Sequence, residues 1–571
     1  MDMKLAVAAE IAGAMQSFPE CTLNKEEIAG MLEVPPDKKL GDYAMPCFRL
    51  ARVLRKAPPL IAGQLSEALE GSALFSRVEA VGGYLNVFLS RKEMAEEILS
   101  AVLSANGHWG GSDLGAGKTV CIDYSSINIA KRFHIGHLST TMIGNSLKRI
   151  YDFNGYTTVG INHLGDWGTQ FGKMICAYKK WGDRATVEAS GVQGMVDLYV
   201  RFHKEAEKDP TLEDEGRAWF KKIEDGDPEA MEIFTWFKEV TLRDAKRVYD
   251  VLGVSFDSYA GESFYSDKMG PVIDSLRASG LMVESQGAQV VDLEAYGMPP
   301  ALIMRSDGAT LYITRDLAAA FYRYNTYHFD KCLYVVAYQQ NLHFAQLFKV
   351  LELMGADFYK GMEHVAFGMV SYEGRALSTR EGYVVYLDEL LDKAVEKARE
   401  IIEEKSPNLE NKDEVAKQVG IGAVVYFDLH NDRMKDIDFR WERVLNFDGE
   451  TGPYVQYTHA RCCSVLRKAE SLGKMEPDYS QVTDDEAQDV LMSLSRFPET
   501  VRKAMDGNEP SMITRHVTQL AQAYNKYYFE HRIMDEHDLA GTAARLNLTR
   551  AVKEVIATGL YLIGVEAPER M

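Results

Sequence analysis

The stretch from Lys118 to Gly182 fixes the class of fold. "KTVCIDYSS" is a short apolar run with β-branched residues, and a loop follows it. "HLSTTMIGNSLKRIYDFNGY" then carries a helical pattern closed by Asn154-Gly155. "TTVGINHLGDWGTQFGKMICAYKKWG" repeats strand, loop and helix. Strands joined by a crossover-length helix pair in parallel, because the helix carries the chain back to its starting edge. Parallel strands are covered on both faces, so the expected class is α/β. The same character returns in "ALIMRSDGATLYITRDLAAAFYRYN", "KCLYVVAYQQ" and "HVAFGMVSY".

The chain has 571 residues, which at roughly 100–200 residues per domain is enough for three to five domains. Residues 1–112 are expected to form an α+β unit, with loops at Pro35-Pro36 and Gly41-Asp42 and strands about Gly82-Gly83. Residues 113–385 hold the parallel sheet, interrupted at about 181–290 by a charged, mainly helical insertion. Residues 386–440 are a helical connection and 441–571 an all-α bundle. No apolar run reaches the roughly 18 residues of a membrane helix. The first residues, "MDMKLAVAAEIAGAMQSFPE", lack the pattern of a signal peptide. Seven cysteines are scattered with no C-x-x-C pair. That argues against a zinc site or a disulfide framework and fits a reducing cytoplasm.

The first loop holds the chemistry. In "SSINIAKRFHIGHLSTT", His134 and His137 lie three apart around Ile135-Gly136, just past Lys131 and Arg132, in a chain of net charge -20. The start of a helix after a parallel strand offers free N–H groups and the positive end of the dipole, so it suits phosphate. Histidines at i and i+3 share one side of the first turn and can donate to phosphate oxygens. Gly136 has no Cβ, so a flat ring can lie against the backbone. One histidine as a helix cap and the other as a metal ligand or surface residue is the plainer alternative. The strand–loop–helix setting favours phosphate.

The segment from Asp123 to Lys173 resembles the class I aminoacyl-tRNA synthetases, and specifically the arginyl-tRNA synthetases, over about fifty residues without a gap. The resemblance extends towards both ends of the chain. It implies a Rossmann-like catalytic domain that activates L-arginine with ATP and transfers it to the 3′-terminal ribose of tRNA, releasing AMP and pyrophosphate. It also implies activation that needs bound tRNA. The ATP itself implies Mg²⁺, though no dedicated metal cage is visible in the sequence. The second class signature, a Lys-Met-Ser-Lys-Ser loop, is replaced by "ALSTREG", with Ser378, Thr379 and Arg380 in its core. Both signature lysines are absent, and Lys131 is the candidate to supply the missing charge beside the leaving pyrophosphate.

By the same resemblance Asp123, Ser125 and Asn128 meet the amino-acid end of arginine, with Asp123 shorter than the Glu common there. Tyr312, Asp316 and Gln340 meet the guanidinium, a planar fork suited to a carboxylate. A helix cap is the alternative for Asp316. In "NHLGDWGTQFG", His163, Asp166 and Gln170 are candidates for the arginine and ATP surroundings, and a structural turn is the equal alternative. His343 lies close to Gln340 in sequence and could serve the pocket or only the core.

Tyr454, Tyr457 and Arg461 repeat at helical spacing, and "YNKYYFEHRI" adds Tyr528 and Arg532. Aromatic and cationic groups together can stack on unpaired bases. The resemblance implies an anticodon-binding bundle with Met571 close by. The N-terminal unit resembles the domain that contacts the tRNA corner, and Arg49, Arg52, Arg55 and Lys56 are either its basic patch or a solvated face. The chain is expected to act as a monomer with arginine, ATP and tRNA, without a membrane. The rivals are a catalytically dead tRNA-binding paralogue and a synthetase for another amino acid, such as the cysteinyl type. Intact His134, Gly136 and His137 oppose the first, and the lack of a cysteine zinc set opposes the second.

Overall fold

The structure, a computed structural model, describes residues 3–18, 23–306, 310–377, 383–447, 449–473 and 475–571. Its centre is a four-stranded sheet: β1 (Thr119–Asp123), β2 (Thr157–Ile161), β3 (Lys331–Tyr334) and β4 (Met362–His364). The spatial order is β4-β3-β1-β2, and every pairing is parallel. The chain winds from β1 outward to β2, then returns on the other side of β1. That reversal opens a crevice beyond the carboxyl ends of β1 and β3, where doubly wound sheets hold ligands.

Helix α1 (Leu138–Phe153) is the first crossover. It is buried along most of its length because it is covered twice, by the sheet and by the helices Lys412–His430 and Leu539–Leu562. Beyond β2 the chain runs through Thr169–Trp181, Arg184–Ser190, Val192–Ala206 and Thr211–Glu224 to α2 (Pro228–Leu252). Asp227 caps α2 by accepting from Ala230 N, Pro228 opens it, and Gly253 ends it at φ 64°. The expected helical insertion also contains strands. Met282–Ser285 and Ala288–Val291 form a hairpin that pairs with Ala301–Met304.

After β4, Val370–Tyr372 pairs in parallel with Ile437–Phe439, and the hairpin Leu387–Lys405 and Lys412–His430 lies between them in sequence. The last unit packs Gly452–Ala469, Asp485–Asp506, Ser511–Glu530 and Leu539–Leu562. The N-terminal sheet is antiparallel, with Tyr84–Leu89 between Tyr43–Pro46 and Phe75–Val81. Arg91–Ser104 docks this unit onto the last bundle: Arg91 pairs with Asp485 at 2.7 Å, and the buried Trp109 indole just beyond donates to Leu494 O at 2.9 Å. Among the described residues no helix is long and apolar enough to cross a membrane.

Candidate active site

The loop after β1 is held in an uncommon shape. Ser125, Ser126 and Ala130 have φ of 67°, 43° and 62°, the left-handed region that non-glycine residues rarely adopt. Side-chain hydrogen bonds fix it. The Ser125 hydroxyl lies 2.8 Å from Tyr249 OH and accepts from Thr141 Oγ1 at 2.9 Å, while Asn162 Nδ2 donates to Tyr249 OH at 2.8 Å. Ser125 is thus sealed inside a polar web (3% exposed), whereas Asn128 and Lys131 are exposed. The backbones of Asn128 and Gly165 form a bridge, and a Cβ at Gly165 would displace the Asn128 side chain, whose Oδ1 lies 2.2 Å from that position.

The His134 and His137 rings lie against each other at a tilt of 35°, with centroids 3.8 Å apart. Gly136 N donates to His134 Nδ1 at 3.1 Å and His134 N donates to His137 Nδ1 at 3.2 Å. With each Nδ1 accepting, each neutral ring carries its proton on Nε2 and offers it as a donor. Burial lowers both pKa values, with Lys131 adding to it, and His137 is pushed down to about 3. Both rings are therefore neutral donors at pH 7.

This loop is tied to the chain that follows the second signature. Ile135 N donates to Val385 O and Leu387 N to Phe133 O, at 2.9 and 3.0 Å. Arg132 lies 3.6 Å over the Tyr386 ring and pairs with Asp388 and Glu389. Ser378, Thr379 and Arg380 lie outside the described residues. A cleft of about 360 Å³ flanks the loop, bordered by Lys131, Phe133, Thr241 and Arg247.

Across the crevice lies a chain of charged groups. Asp123, at the end of β1, accepts from Arg323 Nη2 at 2.7 Å and from Ser126 Oγ at 2.7 Å. The same Arg323 nitrogen lies 3.3 Å from His163 Nδ1. His163 Nε2 is 4.0 Å from Asp316 Oδ1, and Asp316 Oδ2 is 2.6 Å from His343 Nε2. Burial lowers the His163 pKa. Burial pushes the Asp316 carboxyl up, but the His343 hydrogen bond and the neighbouring cationic groups outweigh it and hold Asp316 below the usual range. Tyr312, one turn before Asp316, is 66% exposed, and Gln340 is also exposed.

Asp166 sits differently from an open ligand group. It is fully buried, accepting from Lys238 Nζ at 2.7 Å and from Ser263 N and Oγ at 2.8 and 2.7 Å. It staples the loop after β2 to α2 and to the short helix Glu262–Lys268. Gln170 Nε2 is half-buried and donates to Trp167 O at 3.1 Å. Glu262 pairs with Arg315 at 3.0 Å, and burial, opposed by Arg315, pushes its carboxyl up to about 7.

Sequence reasoning missed Arg323, Tyr249, Glu262, Arg315 and Lys238. Arg323 carried a signal. It falls seven residues after Asp316, two turns along the helix Tyr312–Tyr327 and on the same face, amid Leu317 and Ala320. An arginine on an apolar stripe needs an anion, and Asp123 supplies it.

In the last bundle Arg461 lies between two rings, 4.9 Å from Tyr457 and 5.0 Å from Tyr528. These three, with Lys468, Arg570 and Met571, line a groove of about 410 Å³. Arg532 lines an adjoining groove that shares Lys468 and Tyr528. Tyr454 instead packs, half-buried, against the core. Among the described residues the cluster of His and carboxylate groups close enough to hold a metal ion is Asp484, Glu486 and His531, in this bundle.

Residues 98–441 match the family described as tRNA synthetases class I (R), catalytic domain. Residues 455–571 match a DALR anticodon binding domain, and 2–89 an arginyl tRNA synthetase N terminal domain. The chain is 54% identical over 549 residues to an arginine–tRNA ligase of Alkaliphilus metalliredigens, covering 96% of this chain and 97% of that one. It has the same identity and coverage against an arginine–tRNA ligase of Clostridioides difficile. Its fold is similar to an arginyl-tRNA synthetase of Thermus thermophilus, with a TM-score of 0.81, 27% identity and 99% of each chain covered. A match of this length and identity settles the family that the histidine loop pointed to: the chain belongs to the class I arginyl-tRNA synthetases.

Proposed function

We infer that the protein joins L-arginine to the 3′-terminal ribose of its tRNA in two steps. First the arginine carboxylate attacks the α-phosphorus of ATP, the bond to the β-phosphate breaks, and pyrophosphate leaves. Then a ribose hydroxyl attacks the carbonyl carbon of the adenylate and AMP leaves. Neither step needs a covalent enzyme intermediate. Positioning and charge stabilisation carry both. The observation that supports this reading best is the pair of closely packed, neutral imidazoles with Nε2–H donors, held at the start of α1.

The roles follow. His134 and His137 donate to the phosphates, Gly136 lets the His134 ring lie on the backbone, and Lys131 adds charge on the triphosphate side. Ser378, Thr379 and Arg380 complete that side, with Mg²⁺ arriving as part of the ATP substrate. Asn128 meets the amino-acid end. Asp316 takes the guanidinium, with Tyr312 and Gln340 at the rim. Asp123, Ser125 and Asp166 act from within the framework, because each is buried among partners of its own. His163 and Gln170 line the loop after β2. Tyr457, Arg461, Tyr528, Arg532 and Met571 receive the anticodon region, and Tyr454 supports their helix. The setting is the cytoplasm.

Purified protein, given ATP, bulk tRNA and each amino acid in turn, charges arginine alone. Charging by another amino acid, or none with arginine, overturns the reading.

A further inference from the structure

Arg323 is the largest fully buried side chain among the described residues, at 1% exposure. A cation beneath a pocket for a cationic substrate is an odd placement, since like charges repel through a low-dielectric interior. Its contacts give the reason. Arg323 Nη2 donates both to Asp123 Oδ2 (2.7 Å) and to His163 Nδ1 (3.3 Å). A donor on Nδ1 forces the neutral imidazole to carry its own proton on Nε2. That nitrogen faces Asp316 Oδ1 at 4.0 Å, beyond hydrogen-bond reach. The other Asp316 oxygen is already held by His343 at 2.6 Å. Oδ1 is therefore the carboxylate oxygen left open.

We propose that Arg323 is a positioning residue for arginine selection: it keeps His163 neutral and in the Nε2–H form, so that Asp316 presents one oxygen with no rival cation on it. The inference rests on the reading that Asp316 takes the substrate guanidinium. His163 sits among the carboxylates Asp123, Asp316 and Asp166, with Arg323 as the opposing cation and the Tyr265 ring 5.6 Å away. Remove Arg323 and those carboxylates surround an imidazole whose Nδ1 has lost its donor. Burial still opposes charge on the ring, but the opposing cation is gone, so the ring takes up a proton more readily, and imidazolium beside Asp316 competes with the guanidinium for the same oxygen. Asp123 serves the same end, since it neutralises the buried guanidinium.

The test is tRNA-dependent ATP–pyrophosphate exchange on full-length protein. Arg323→Gln raises the KM for arginine by about tenfold or more at pH 7, the scale of a lost charged hydrogen bond. KM for ATP stays within about threefold, which shows that the variant is folded. The rise shrinks as pH climbs and the imidazolium loses its proton. In Arg323→Gln combined with His163→Asn that pH dependence disappears. An unchanged arginine KM, a rise equal at every pH, or a double variant that keeps the pH dependence overturns the proposal. Should Arg323→Gln not fold, ¹⁵N NMR of the imidazoles in the native protein decides. A neutral His163 protonated on Nε2 is expected, and an Nδ1–H form or an imidazolium at pH 7 overturns it. Asp316→Asn tests the underlying reading separately. If it leaves the arginine KM unchanged, the guanidinium assignment fails while the NMR result on His163 stands.

Discussion

At the scale of single residues, the loop holds two neutral imidazoles beside an exposed cation. Lys131 is exposed on the loop whose histidines it helps to keep uncharged. Lys131→Ala therefore lowers the rate of pyrophosphate exchange by about tenfold to a hundredfold, as expected for one lost phosphate donor. tRNA affinity in a filter-binding assay stays nearly the same, and an undiminished exchange rate would reduce Lys131 to a solvated loop residue. The Gly136 position is just as specific. A Cβ there would meet the His134 ring at 2.9 Å, so Gly136→Ala tilts the ring and lowers exchange without unfolding the protein, measured by exchange and thermal melting together. These residues were legible because the histidines, the glycine and the helix start lie within a few positions of one another. The Asp123–Arg323 pair was not, since its members lie 200 residues apart and only the pairing of β1 and β3 brings their elements together. Asp166 had the look of a pocket-lining loop residue. Nothing local showed that Lys238 and Ser263 would claim both its oxygens.

Among elements, one of the buried links between the first crossover helix and the helical half of the chain carries a titratable group. Asp428, buried on Lys412–His430, accepts from Ser139 on the first turn of α1 at 2.6 Å. Burial, opposed by the Ser139 hydrogen bond, pushes its carboxyl up to about 7 from an ordinary 3.8. The folded protein keeps this proton at pH values where the unfolded chain has released it. Stability from this group is thus greatest near pH 4 and declines as pH rises to about 7. Asp428→Asn removes that decline. The melting temperature of the variant minus that of the native protein grows with pH over this range, by the equivalent of a few kcal/mol at most. A difference that stays flat would mean the carboxyl titrates normally. The strand–helix–strand rhythm of the sheet was legible from its periodicity. The hairpin in the insertion was not. Its two-residue turn, Gln286-Gly287, has φ of 51° and 79°, as a hairpin turn requires, but glutamine is a weaker signal than asparagine or aspartate there.

Over the whole molecule, a net charge of -20 coexists with a basic, aromatic groove in the last bundle. Overall charge governs solubility and long-range repulsion, whereas binding follows the local arrangement. Arg461, held between Tyr457 and Tyr528, serves stacking and charge at once. Arg461→Ala weakens tRNA binding by about tenfold, the scale of a lost stacking contact. On the proposed reading, in which activation needs bound tRNA, pyrophosphate exchange falls at low tRNA and recovers at saturating tRNA. Failure to recover would place Arg461 in the framework of the bundle instead. The basic groove was hidden in composition, since its parts come from three separate stretches of sequence.

The left-handed residues Ser125, Ser126 and Ala130 bear on the economy of repeated turnover. Glycine at Ala130 would relieve strain on the order of 1 kcal/mol while giving the unfolded chain more freedom, so the melting point would barely move. The loop would then hold its shape less firmly between substrates. As built, the ordering happens during folding, once in the lifetime of the molecule, and every later substrate meets a loop already set.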